Sequence, residues 1–150
     1  MPLTKLNALL EAFDDFPDPA DRTDMLLSYA DQFKEVPPDV ATRPFPEKNH
    51  IPQCESDAYV WALRKPDGTL TLHFAVENPS GISARALATI LDKTLSGLPA
   101  AEIATVECGI VERIFRRNIS MGKGMGLMAM VDAVRTLAKK ASSSQLPAST

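Results

Sequence analysis

Cysteine is scarce in this chain: 150 residues contain only Cys54 and Cys108, far apart and with no CxxC spacing. Neither a structural zinc site nor a disulfide framework is expected from two such residues, and a chain-held iron–sulfur cluster needs more thiolates than they supply. Histidine is as rare, with only His50 and His73, and neither sits in a recognisable catalytic signature. No apolar run approaches the roughly 20 residues of a membrane span. The N-terminal residues lack the charged and apolar regions of a secretion signal, so a cytoplasmic location is the expectation, with no membrane partner. Positive charge is also in short supply: 16 Lys and Arg stand against 19 Asp and Glu, for a net charge of -3. The one basic patch, Arg113, Arg116 and Arg117, reads as a solvated helix face or a protein contact, and no nucleic-acid partner is expected.

What remains is the composition of a folded domain, 45% hydrophobic and 23% charged. Residues 1–141 are expected to form a single domain, and residues 142–150, small, polar and proline-bearing, a mobile tail. Leu3, Leu6, Leu9, Leu10 and Phe13 predict a helix over about residues 3 to 13. Asp18 as N-cap, Pro19 at the first helical position and Asp21 in the first turn announce a second, with Met25, Leu26, Tyr29 and Phe33 as its apolar stripe and Pro37-Pro38 as its stop. Five prolines between residues 37 and 52 then predict an extended surface strap. A hairpin follows: strand Ala58 to Arg64, turn Lys65-Pro66-Asp67-Gly68, strand Thr69 to Val76. Alternation turns Leu70, Leu72, Phe74 and Val76 to the core and Thr69, Thr71 and His73 away.

The second half reads as helical. Ile82, Ala86, Leu87, Ile90, Leu91 and Leu95 keep a 3.6-residue period that Gly97 stops, and Pro99 opens a short helix through Ala104. Ile110, Val111, Ile114 and Phe115 make another amphipathic turn or two. Gly122-Lys123-Gly124-Met125-Gly126 is expected to interrupt the pattern as a sharp turn with Lys123 at its tip, before a last helix carrying Leu127, Met130, Val131, Val134 and Ala138. The fold class is therefore α+β, a small antiparallel sheet packed with helices from both halves of the chain.

Cys54 lies where the strap meets the first strand, in Ile51-Pro52-Gln53-Cys54-Glu55-Ser56. A thiol there is presented by a loop, whereas Cys108, beside an apolar helix, reads as a packed residue. Glu55 and Asp57 beside Cys54 disfavour a thiolate, so activation is expected from a folded neighbour such as Lys123 or from a partner. A stand-alone redox sensor, in which Cys54 reacts with peroxide, is the rival reading. A third is an adaptor whose cysteine is incidental.

The segment Pro37-Pro38, the string Ile51-Pro52-Gln53-Cys54-Glu55-Ser56, Val60-Trp61, the Ile82 to Leu95 helix, Gly97-Leu98-Pro99, Glu102-Ile103 and Gly126-Leu127 with Met130 together resemble the SufE-type cysteine desulfuration proteins. The resemblance implies a SufE-like α+β domain and a carrier rather than an independent enzyme. Cys54 would accept sulfur as a persulfide from a cysteine desulfurase, stimulate that enzyme, and relay the sulfur towards iron–sulfur cluster assembly and its scaffold proteins. Pyridoxal phosphate would belong to the desulfurase, with no cofactor expected on this chain. Lys123 would occupy the place of the family's usual arginine; by charge, Glu55, Asp57 and Lys123 are the expected contacts with the partner, and Trp61 and Phe74 the expected walls here of the apolar pocket against which the family's cysteine loop rests. Four departures accompany the resemblance: Gln53 for glycine, two extra residues between Cys54 and Val60-Trp61, Glu77-Asn78-Pro79-Ser80 for the usual Asp-Ser-Asp-Ala run, and Lys123.

Overall fold

Apolar residues three and four positions apart give the first helix its buried stripe. In the computed structural model, which describes residues 3–54 and 56–143, α1 spans Thr4–Asp14 and buries Leu6, Leu10 and Phe13. Helix α2, Pro19–Asp31, starts as its sequence predicts: Asp18 is the N-cap, and its carboxylate accepts a hydrogen bond from the Ala20 N–H at 2.8 Å. It ends at Asp31, well short of Pro37-Pro38. The reason is competition from the sheet, since the Val36 N–H donates to the Phe74 carbonyl at 2.8 Å, drawing the approach to the prolines into an extended bridge at Glu35. Of the expected apolar stripe only Leu26 is buried; Met25, Tyr29 and Phe33 pack at the core's margin.

Strands β1, Ala58–Arg64, and β2, Leu70–Val76, form a two-stranded antiparallel hairpin in which Val60 faces Phe74 and Trp61 faces His73. Its inner face buries Val60, Leu70, Leu72, Phe74 and Val76 in the main core, as the alternation predicts. The outer face is covered as well. Val36, Phe45, Trp61 and Ala75 make a second, smaller cluster, and the Phe45 ring lies 5.2 Å from those of both Tyr59 and Trp61. The strap of residues 37–52 is thus pinned to the sheet rather than lying loose on the surface. Arg43 secures it further by pairing with Glu35 and Glu77, and one turn of 3-10 helix at Glu47–Asn49 interrupts its extended path.

Helix α3, Ile82–Leu95, packs against β2 and α2; Ile82, assigned to its apolar stripe by spacing, is exposed instead. Gly97 takes φ +94° just beyond its end, a backbone conformation that favours glycine. The short helices α4, Ala100–Ile103, and α5, Ile110–Phe115, follow as expected. Helix α6 corrects the sequence reading. It runs over Met121–Ser143, so the glycines from 122 to 126 lie inside the helix and form no turn. Ser120 starts it, its hydroxyl accepting the Lys123 N–H at 3.2 Å and its carbonyl the Gly124 N–H at 2.9 Å. That cap, together with the packing of Gly126, Leu127, Met130, Val131, Val134 and Ala138 in the core, offsets the low helix propensity of the glycines. The helix also carries Ser142 and Ser143, the first two residues of the expected tail; residues 144–150 lie outside those described.

Arg22, invisible to a hydrophobic-pattern reading, is fully buried. Its guanidinium donates to the Phe13 carbonyl at 2.6 Å, to those of Arg113 and Ile114 at 2.7 Å each, and to that of Phe16 at 3.1 Å. One cation thereby satisfies carbonyls at the C-terminal ends of α1 and α5, where the helix dipole favours positive charge. The architecture is α+β, with six α-helices and one two-stranded sheet among the described residues. Among them, no helix is long and apolar enough to cross a membrane.

Candidate functional site

The loop that carries Cys54 is closed at its stems by a rung of sheet-like pairing. The Ile51 N–H donates to the Ala58 carbonyl at 2.9 Å, and the Asp57 N–H to the Cys54 carbonyl at 3.0 Å. Beyond β2 the chain continues the pairing: Glu77 and Asn78 donate to the carbonyls of Asp57 and Ser56, each at 3.1 Å. Gln53 and Asp57 take φ +64° and +54°, a left-handed conformation that costs a non-glycine residue on the order of 1 kcal/mol. The cysteine is thus bracketed by two strained residues.

Two glycines make room for this loop. A Cβ on Gly126, in the second turn of α6, would stand 2.9 Å from the Gln53 carbonyl oxygen and 3.3 Å from the Cys54 Cα. A Cβ on Gly81, just before α3, would stand 2.8 Å from a Val76 methyl and 2.9 Å from the Ser56 hydroxyl. The loop is wedged between the starts of α3 and α6, with Cys54 half-buried against the main core.

Beside the cysteine lies a cavity of about 110 Å³. Ser56, Asn78, Ser80, Ser83 and Lys123 line its polar side, and Ile82, Ala84 and Leu127 its apolar side. The structure therefore brings Cys54 and Lys123 together, by a route the sequence did not indicate: Lys123 reaches the cavity from the first turn of α6. The run Glu77-Asn78-Pro79-Ser80 contributes Asn78 and Ser80 to the same wall.

Trp61 and Phe74 do not meet there. The hairpin register sets them on opposite faces of the sheet, Trp61 in the outer cluster and Phe74 in the main core, and neither lines the cavity. Their assignment as pocket walls is replaced by a lining that mixes polar side chains with Ile82, Ala84 and Leu127. Asp57 turns to His50, whose Nε2 lies 2.7 Å from its carboxylate while Nδ1 lies 3.5 Å from that of Glu47. Glu55 lies outside the described residues. Cys108 is half-buried, its thiol donating to the Met128 carbonyl at 3.5 Å. It faces a separate groove of about 620 Å³ whose rim includes His50, Pro52 and Gln53. Arg113 and Arg116 pair with Asp14 at 2.6 and 3.4 Å, and these contacts hold the Asp14 carboxyl below its usual range, the Arg113 hydrogen bond foremost. The side chain of Arg117 is outside those described. No group of three or more His, Cys, Asp or Glu side chains among the described residues is placed to hold a metal ion.

Sequence reasoning missed Gly81, Ser83 and the His50–Asp57 pair. For the first two the available signal was position: both fall at the start of a strongly periodic helix, where a chain can approach backbone N–H groups.

Comparison with known proteins adds the following. The profile described as SufE, Fe-S metabolism associated domain, matches residues 7–138. The solution structure of a hypothetical protein from Thermus thermophilus superposes with a TM-score of 0.73 at 25% identity, covering 96% of this chain and 100% of that one. No curated protein matches significantly in sequence.

Proposed function

Since the chain belongs to the SufE family of Fe-S metabolism associated domains, the match spanning residues 7–138, we propose that within iron–sulfur metabolism it is a sulfur carrier that works through Cys54. In this reading a cysteine desulfurase, itself the holder of pyridoxal phosphate, presents a persulfide. The Cys54 thiolate attacks the outer sulfur of that persulfide; a new S–S bond forms as the donor's breaks, and the donor cysteine leaves as a thiolate, so the exchange is redox-neutral. The sulfur then passes by the same displacement to an acceptor in iron–sulfur cluster assembly, and unloading the desulfurase stimulates it.

The observation that carries this reading is the cavity beside the thiol. Its volume of about 110 Å³ suits a small anionic group, and its wall supplies what such an anion needs. Lys123 contributes positive charge, Ser56, Ser80, Ser83 and Asn78 contribute donors, and the first turn of the 14-residue α3 adds the favourable end of a helix dipole. Ile82, exposed on the cavity wall, gives the mouth an apolar residue suited to a protein partner. Asp57 and Lys123 would orient that partner by charge.

Incubation with a cysteine desulfurase and free cysteine, followed by intact-mass measurement without reductant, tests the proposal. One added sulfur is expected on wild type and on Cys108→Ser, and none on Cys54→Ser. A wild-type chain that gains no sulfur, or a Cys54→Ser chain that does, overturns it.

A further inference from the structure

Among its described lining residues the cavity beside Cys54 carries one formal charge, the cation of Lys123, and no carboxylate. That balance is reached in a chain of net charge -3, and with Asp57 only three positions from the thiol, because Asp57 turns its carboxylate to His50 at 2.7 Å. The rest of the polar wall supplies donors. Asn78 commits its side-chain oxygen to the Ser80 N–H at 2.9 Å, so what it has left to offer a ligand is its amide N–H groups. The Arg85 N–H donates to the Gly81 carbonyl at 3.0 Å, making the first hydrogen bond of α3. The N–H groups of Ser83 and Ala84, two residues of the cavity wall, therefore have no acceptor within the helix. Arg85 also fastens the run that carries Asn78 and Ser80, donating to the carbonyls of Val76 and Pro79 at 3.1 and 3.0 Å.

We propose that this cavity binds thiosulfate and that Cys54 takes sulfur from it directly, an inorganic source beside the protein donor. Sulfate or phosphate would meet the same donors, but only an oxyanion with a transferable sulfur gives the adjacent thiol a reaction. The Cys54 thiolate attacks the outer sulfur of thiosulfate. A new S–S bond forms to Cys54 as the S–S bond of thiosulfate breaks, and sulfite leaves with the electron pair. The products are the Cys54 persulfide and sulfite, so the exchange needs no oxidant or reductant. Its obstacle is charge, since a thiolate must approach a dianion. Lys123 and the hydroxyl and amide donors answer it by holding the oxygens on which negative charge grows as sulfite departs.

The inference rests on Cys54 being the sulfur-carrying thiol, but its test needs no desulfurase. The chain is incubated with excess sodium thiosulfate without reductant, and intact mass and released sulfite are followed together. Wild type and Cys108→Ser should gain one sulfur with one sulfite released, and Cys54→Ser neither. The rate should saturate with thiosulfate and be slowed by sodium sulfate, but not by sodium chloride at the same ionic strength. Lys123 is exposed, so its replacement should not disturb folding. Lys123→Met should lower the rate at least about tenfold, the cost of one charge-assisted contact, and Lys123→Arg should restore most of it. No sulfur gained from thiosulfate, a rate that rises linearly and ignores sulfate, or a Lys123→Met chain as fast as wild type overturns the proposal. A chain loaded by a desulfurase but not by thiosulfate keeps the carrier reading and loses this one; loading by thiosulfate alone does the reverse.

Discussion

Gly126 shows at the scale of one residue how the site was assembled. Within a helix alanine is preferred to glycine by about 1 kcal/mol, yet here a methyl group would meet the Gln53 carbonyl oxygen at 2.9 Å, a backbone atom that cannot swing aside. Gly126→Ala should therefore destabilise the protein by about 1 kcal/mol net, the clash exceeding the propensity gain, and urea unfolding measures it. An alanine variant as stable as wild type would mean that the loop yields freely. The sequence contained this glycine, and its neighbours suggested a turn. What the pattern lacked was the second chain segment, more than seventy residues earlier, that presses on it. The same holds for Trp61 and Phe74, two aromatics near the cysteine in sequence whose faces are decided by hairpin register.

Single elements were the most legible scale, because their signals are local. Asp18-Pro19 predicts the start of α2, and the Asp18 carboxylate does accept the Ala20 N–H. Asp18→Ala should cost about 1 kcal/mol, seen as a lower urea midpoint at unchanged slope; no shift would show that the cap contributes nothing here. The strands and α3 were equally plain from periods of two and 3.6. The misreadings occurred at element ends. Helix α2 stops at Asp31 because the backbone beyond it pairs with β2, and α6 starts at Met121 because Ser120 caps it. Both boundaries depend on hydrogen bonds that a hydrophobic period does not register.

For the whole molecule Arg22 is the residue that joins the halves. It lies on α2 and satisfies carbonyls of α1 and α5, more than ninety residues apart in sequence. Arg22→Met would fill much of the same volume but strip four carbonyls, two of them in fully buried hydrogen bonds, of their donor. The expected loss is about 3 kcal/mol, measured by urea or thermal unfolding, with secondary structure retained in whatever fraction folds. A loss below about 1 kcal/mol would mean that water replaces the guanidinium at those helix ends. No sequence rule marks an arginine in an amphipathic helix as the one to be buried; its burial follows from two helix C-termini converging on it.

The sequence by itself determined the element types, the inward face of β2, the cap of α2 and the presentation of Cys54 on a loop, because each depends on residues within a turn or two of one another. Tertiary structure alone decided what surrounds the thiol. Asn78 and Ser83 come from one stretch of chain and Lys123 and Gly126 from another, both distant in sequence from the cysteine, and their mixed lining replaces the expected Trp61 and Phe74. The His50–Asp57 pair belongs to the same category: the residues are close in sequence, but only the folded loop brings imidazole and carboxylate to hydrogen-bonding distance. The cysteine was legible because a thiol carries its chemistry in its own side chain, whereas its environment depends on which distant backbones approach closely enough to enclose it.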